Sequence, residues 1–319
     1  MPRLALASKP AAIMLAYTSS TITWEEINCT SGNGRLVNSK WFVCDILEFI
    51  ASVFTCRPQK LVGFEMKSFT FLSDRHILLA VLYPTSAKLL VLNFQEPSEE
   101  EIPLARCSCA LEYPSMNYWT EALHIVIRSD PMPIFEPKSD SPVPFYHENC
   151  NQLFVVTMWV HDGHDVHTVV LFVPTSTILA ALPAAGDDKT IAWRMWGPQG
   201  TRMLTGLPNS SVWVCYVYGS RFVVSRPLIA DGSSIEVYDF NQLACRRAQQ
   251  YQRPRSKAKF IRSTDRIASS SEFSVFSEDV FTSLSYRKQT IFMEHKSCGG
   301  KIEAVMCTED NLVVVSVRV

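Results

Sequence analysis

Three histidines recur at every third position, His161, His164 and His167, interleaved with Asp162 and Asp165. Imidazole nitrogens and carboxylate oxygens are the donors that zinc and related divalent ions take. The flanking runs argue against convergence. Leu153–Trp159 and Thr168–Val173 read as strands, so the histidines fall on a hairpin tip, where residues three apart point to opposite faces. The expectation is a polar turn rather than a metal centre, and no cofactor is implied. The second chemically suggestive stretch is basic. Arg246, Arg247, Arg253, Arg255, Lys257, Lys259, Arg262 and Arg266 face a single acid, Asp265. Such a run suits phosphate contacts or an import signal. The whole chain carries a net charge of −1, and the run holds only Tyr251 and Phe260 for base stacking, so nucleic-acid binding is not expected. It reads instead as a basic flexible insertion at 246–271. The third group is aromatic: Trp193, Trp196 and Trp213 around Trp196-Gly197-Pro198, expected to pack one sheet against the next.

Nucleophile and phosphate motifs are missing. The chain has no G-x-S-x-G, H-E-x-x-H, P-loop or G-x-G-x-x-G. Its ten cysteines include no C-x-x-C pair, only Cys107 and Cys109 close together, and several lie inside apolar runs as reduced core residues do. Asn28-Cys29-Thr30 and Asn209-Ser210-Ser211 match a glycosylation triplet that arises often by chance. Apolar runs such as Ile77–Tyr83 fall far short of the roughly 18 residues of a membrane span. The expected setting is cytoplasmic or nuclear, with no membrane contact.

The elements that must position these groups are strands. Hydrophobic residues make up 47% of the 319 residues, which excludes wholesale disorder. Short β-branched and aromatic runs recur: Ala12–Tyr17, Phe69–Leu72, Ile77–Leu82, Leu89–Phe94, Leu123–Arg128, Leu153–Trp159, Thr168–Val173, Val212–Val217, Arg221–Ser225, Ile235–Phe240, Gln289–Glu294, Lys301–Met306 and Leu312–Val317. Gly219-Ser220 and Asp162-Gly163 mark hairpin turns. Helical signal is confined to Trp41–Phe54 and a turn within Ser277–Leu284. Phe94–Pro103, with four glutamates, reads as a solvated acidic loop. The class predicted is all-β with few short helices. The strand count exceeds one sandwich and suits a β-propeller-like domain over 1–319, with about five to seven degraded blades at four strands each.

Three stretches in order carry a resemblance: Ile191-Ala-Trp-Arg-Met-Trp-Gly-Pro-Gln-Gly-Thr-Arg-Met203, Trp213-Val-Cys-Tyr-Val-Tyr-Gly-Ser-Arg-Phe-Val223 and Val237-Tyr-Asp-Phe-Asn241. Phe69–Arg75, Pro144-Phe145 and Phe276–Arg287 agree in position. Together, over residues 60 to 295, the chain resembles the β-rich region of F-box proteins from mushroom-forming fungi. The resemblance implies a propeller-like region that recruits a target protein to a cullin–RING ubiquitin ligase. It marks Trp193, Trp196, Gly197, Pro198, Thr201, Arg202, Trp213, Tyr216, Gly219, Arg221, Phe222, Asp239, Phe240 and Asn241 as family-motif positions, expected to be structural. No F-box opening of the Leu-Pro-x-Glu-Leu type is found in residues 1 to 40, so binding of the ligase adaptor is expected only if an F-box lies upstream. The functional expectation is a non-catalytic protein-interaction domain. Its alternatives are a propeller-fold hydrolase and a nucleic-acid scaffold using Arg246 to Arg266.

Overall fold

Runs such as Leu153-Phe-Val-Val and Val169-Val-Leu-Phe-Val173 are apolar without alternation, which requires strands buried on both faces. The computed structural model describes residues 65–73, 75–83, 86–93, 107–130, 152–185, 189–208, 216–228, 232–250, 258–269, 275–294, 300–308 and 311–317, all within the unit Ile50–Val319. Among the described residues strand accounts for 60% and helix for 13%, so this part of the chain is mostly β, in several antiparallel sheets. The expected elements Ala12–Tyr17 and Trp41–Phe54, the acidic loop and the region searched for an F-box lie outside the described residues.

Three sheets follow one another along the chain. The first orders β1 (Glu65–Phe71), β2 (His76–Tyr83), β3 (Ser86–Asn93) and β4 (Cys109–Glu112) as an antiparallel meander, to which β8 (Thr190–Ile191) adds in parallel. The second contains β5 (Glu121–Arg128), β6 (Leu153–His161), β7 (Val166–Pro174) and β9 (Arg202–Thr205). The third orders β10 (Val217–Tyr218), β11 (Arg221–Pro227), β12 (Gly232–Asp239), β16 (Tyr286–Glu294) and β13 (Ala258–Ile261). Two hairpin-like pairs complete the described strands: β14 (Asp265–Ile267) with β15 (Val280–Thr282), and β17 (Lys301–Cys307) with β18 (Leu312–Val317).

The sheets pack face to face in chain order. Leu78, Leu89 and Val91 of the first meet Phe154, Val156 and Leu171 of the second. Leu153, Val155 and Phe172, on the opposite face of that second sheet, meet Phe222, Val224 and Tyr238 of the third. Val223 and Ile235, on the third sheet's far face, meet Ile302 and Val305 of β17. The unbroken apolar character of β6 and β7 thus serves two cores. Phe172 stacks on Phe240 at 4.6 Å and 25°, and its full burial contributes about 1.5–3 kcal/mol. Among the described residues no sheet closes into a barrel and no ring of blades is completed.

Two local expectations are corrected. The stretch Ser277–Leu284 does not form a helical turn. Val280–Thr282 is strand β15, because Val280 and Thr282 are buried while Phe281 faces out, the alternation of a strand. The segment 246–271 is not a free insertion along its described length. It begins within α3 (Gln242–Gln250), then supplies β13, paired to β16, and β14, paired to β15. Its charges hid short pairing segments whose partners lie far along the chain.

The helices are short. α1 (Thr175–Ala181) continues into a 3-10 turn (Leu182–Ala184), and α2 spans Trp193–Gly200. No helix among the described residues is long and apolar enough to cross a membrane.

Candidate functional site

The tryptophan motif folds as helix α2 rather than a strand connection. Trp193, Trp196 and Gly197 occupy i, i+3 and i+4, so they share the buried face, while Arg194, Met195 and Gln199 face out. Trp193 and Trp196 meet edge to face at 5.2 Å, and the Trp196 indole N–H donates to the Glu112 carbonyl at 3.0 Å. A Cβ at Gly197 would run into the Trp193 ring, which explains the glycine. Pro198 accepts at its carbonyl from Ser283 Oγ at 2.9 Å, and Thr201 Oγ1 donates to the Gly197 carbonyl at 2.6 Å. Trp213 lies outside the described residues.

Arg202 is the largest fully buried side chain among the described residues. Its Nε donates to the Leu284 carbonyl at 2.8 Å, both terminal nitrogens reach the Ser263 carbonyl at 3.1 Å, and one pairs with Asp265 at 2.7 Å. The guanidinium also lies over Tyr286, 5.2 Å from the ring centroid. It ties β9 to the β13–β14 connection and to the entry of β16. Tyr216, Phe222 and Phe240 pack in the second core, and Gly219 takes φ +55 at the β10–β11 turn. Asp239 Oδ1 accepts from the Asn241 N–H at 3.0 Å and from Ser220 Oγ at 3.3 Å, and Asn241 Oδ1 caps α3 through the Ala244 N–H. Arg221 is exposed. Apart from Trp213 and Arg221, the motif positions therefore serve packing, turns and caps.

The histidines do not converge on one point. Asp162 is spent on the turn: its Oδ1 accepts the N–H groups of His164 and Asp165, and its Oδ2 meets His167 Nε2 at 2.6 Å. Those backbone hydrogen bonds, with the one from His167, hold its carboxyl well below the usual range. No group of three or more His, Cys, Asp or Glu is placed to hold a metal among the described residues. Glu112, Glu236, Asp265 and Asp279 each pair with a cation. Glu236 is nearly buried. Its Oε2 accepts from Tyr238 at 2.6 Å and Arg226 at 3.1 Å, and its Oε1 meets Lys288 at 2.7 Å. Burial works to raise its pKa, but the hydrogen bonds from Lys288, Tyr238 and Arg226 prevail and lower it. Burial pushes the thiols of Cys109 and Cys245 up to about 11, so both stay protonated near neutral pH and are poor nucleophiles.

The exposed chemistry gathers elsewhere, on the loop Tyr113–Thr120 after β4. The loop is pinned along its length. The Tyr113 N–H donates to the Ala87 carbonyl at 3.1 Å, and Met116 bridges Phe276. The Asn117 N–H reaches the Val275 carbonyl at 3.0 Å, its Nδ2 reaches the Phe276 carbonyl at 3.0 Å, and Ser277 donates twice to the Ser115 carbonyl. These anchors hold Tyr118 and Trp119 outward, 91% and 50% exposed, with their rings 4.6 Å apart and nearly perpendicular. Beside them opens a cleft of about 390 Å³, walled by Lys88, Glu112, Tyr113, Asn117 and Tyr118. Lys88 and Glu112 face each other across β3 and β4 and pair at 2.9 Å, with the ammonium 5.6 Å from the Tyr83 ring. The Tyr113 hydroxyl is buried and has no hydrogen-bond partner among the described residues, and burial raises its pKa. Sequence reasoning missed this site. Tyr118-Trp119 is an ordinary dipeptide until the loop is fixed by residues 275–277, about 160 positions later.

Comparison with known protein families, with curated proteins and with solved structures finds no match to this chain.

Proposed function

We propose that this chain is a non-catalytic protein-interaction domain of propeller-like sheets, resembling the target-recruiting region of F-box receptors. The observation that carries the reading is the pinned Tyr118–Trp119 pair beside the Lys88–Glu112 cleft. Rigid exposed Tyr and Trp side chains supply large contact area at small entropic cost, and they dominate binding energy where a partner covers them. The cleft offers one cation and one anion already paired, a setting that orients a partner's polar group more than it drives chemistry. Successive antiparallel sheets packed in chain order support the propeller-like architecture. Recruitment to a cullin–RING adaptor belongs to this proposal only where an F-box accompanies the chain.

The test compares wild type with the double variant Tyr118→Ala and Trp119→Ala. Proximity labelling in the native cell identifies a partner, which is then purified for direct binding. The variant is expected to fold as wild type and to bind at least about thirtyfold more weakly, the loss of one hot spot of about 2 kcal/mol. Equal affinity would remove the surface from the proposal.

A further inference from the structure

The surface around the Tyr118–Trp119 pair offers mainly hydrogen-bond donors. The Ala87 carbonyl receives the Tyr113 N–H at 3.1 Å, the Asn117 carbonyl receives the Thr120 N–H at 3.0 Å, and the Ser115 carbonyl receives both the N–H and the hydroxyl of Ser277. The Glu112 carbonyl receives the Trp196 indole N–H, and the Glu112 carboxylate holds Lys88 at 2.9 Å. Against these engaged acceptors stand the Tyr118 hydroxyl and the Trp119 indole N–H, carried on two exposed rings. Neither meets a hydrogen-bond partner among the described residues. The excess of donors extends into the cleft wall, where the buried Tyr113 hydroxyl has no hydrogen-bond partner among the described residues. The Tyr118 and Trp119 ring planes meet at 79°, so they form two walls of one notch rather than a single flat stack.

Those groups select the partner. A peptide that adds to a sheet needs an open row of backbone N–H and C=O groups, but β3 and β4 beside the cleft pair with each other, and β4 also pairs with β8. A charged peptide would have to compete with the partner that Lys88 and Glu112 each already hold. At about 390 Å³ the cleft takes a few residues of extended chain and not a helix, which is about 10–12 Å across. A prolyl segment meets every condition. Its tertiary amides have no N–H, and its carbonyls stay open to outside donors because the polyproline II helix makes no internal hydrogen bonds. Its rings are apolar plates that lie on Tyr and Trp faces, and its preset backbone loses little entropy on binding. We infer that the Tyr118–Trp119 notch and its cleft bind a proline-rich segment of a partner protein in the polyproline II conformation, which rests on reading this surface as a partner site. Prolyl rings at i and i+3, about 9 Å apart, fall on one side of that helix, so one seats in the notch while the other enters the cleft.

The experiment titrates the full chain with three capped peptides of equal length: oligoproline, an alternating Gly-Ala peptide and oligoglutamate. Binding is followed by calorimetry and by the indole N–H resonance that Trp119→Phe removes. Saturable binding of oligoproline is expected, at least about tenfold tighter than either other peptide and nearly independent of salt, since the ligand is neutral. It should weaken about tenfold or more in Tyr118→Ala and in Trp119→Ala, and persist in Phe292→Ala, which removes an exposed ring from β16. Trp119→Phe, which keeps a ring but loses the N–H donor, should weaken binding by about fivefold and so report the hydrogen bond to a prolyl carbonyl. Absence of saturable oligoproline binding would overturn the inference. So would affinity unchanged in both alanine variants, or oligoglutamate that binds as well as oligoproline. The two readings fail separately. A native partner lost in the double alanine variant but not displaced by oligoproline overturns the proline assignment and keeps the surface as a partner site; a native partner bound equally by that variant removes both.

Discussion

Replacing Arg202 with Met tests whether this fully buried arginine of the tryptophan–arginine motif is a structural clip. Met matches the length of the aliphatic stem but donates nothing. The change strands the Leu284 carbonyl in the core and removes both bonds to the Ser263 carbonyl. A buried acceptor left unmatched costs about 1–3 kcal/mol. The ion pair with Asp265 adds little, because that carboxylate is 37% exposed and water screens it. The worked total is about 3 kcal/mol. Equilibrium urea unfolding followed by tryptophan fluorescence measures it, with the slope against denaturant required to stay constant. Arg202→Lys should recover less than half, since one ammonium cannot reach two carbonyls and a carboxylate at once. Loss below about 1 kcal/mol in Arg202→Met would refute the reasoning, because the guanidinium would then be worth no more than the packing of its stem.

Glu236→Gln should destabilise by about 2 kcal/mol near neutral pH, since Gln cannot neutralise both Arg226 and Lys288. The folded pKa of Glu236 lies below its unfolded value near 4.3, so its contribution is complete above that value and is lost as pH falls through the folded pKa. The gap between wild type and variant, measured by unfolding at a series of pH values, should therefore close as pH drops from about 5 to below 4; a constant gap would contradict the assignment. Gly197→Ala drives a methyl into the Trp193 ring and should cost about 1–3 kcal/mol by thermal or chemical unfolding, with altered tryptophan emission. Equimolar Zn²⁺ should leave the melting temperature unchanged, because Asp162 is committed to its turn; a shift abolished by His164→Ala would show a metal site at the β6–β7 tip.

The mostly β character of the described residues was legible because β-branched runs of strand length recur between turn residues, and local chemistry suffices to define such strands. Hairpins β6–β7 and β10–β11 were legible for the same reason, with glycine at positive φ in each turn. Helix α2 was not. Gly197, Pro198 and Gly200 argue locally for a turn, and only the core that receives Trp193 and Trp196 makes a helix of them. β13 and β15 were likewise hidden, because Lys259 or Glu278-Asp279 set the local composition while the pairing partner decided the strand. The motif residues Arg202 and Asp239 stood out in sequence, but their roles depended on carbonyls and N–H groups brought by the fold. The cleft was beyond sequence altogether. It needs the Tyr113–Thr120 loop tied to residues 275–277. Local preference is additive along the chain and can be read from it. A surface is made of residues distant in sequence, and only tertiary packing decides which of them meet.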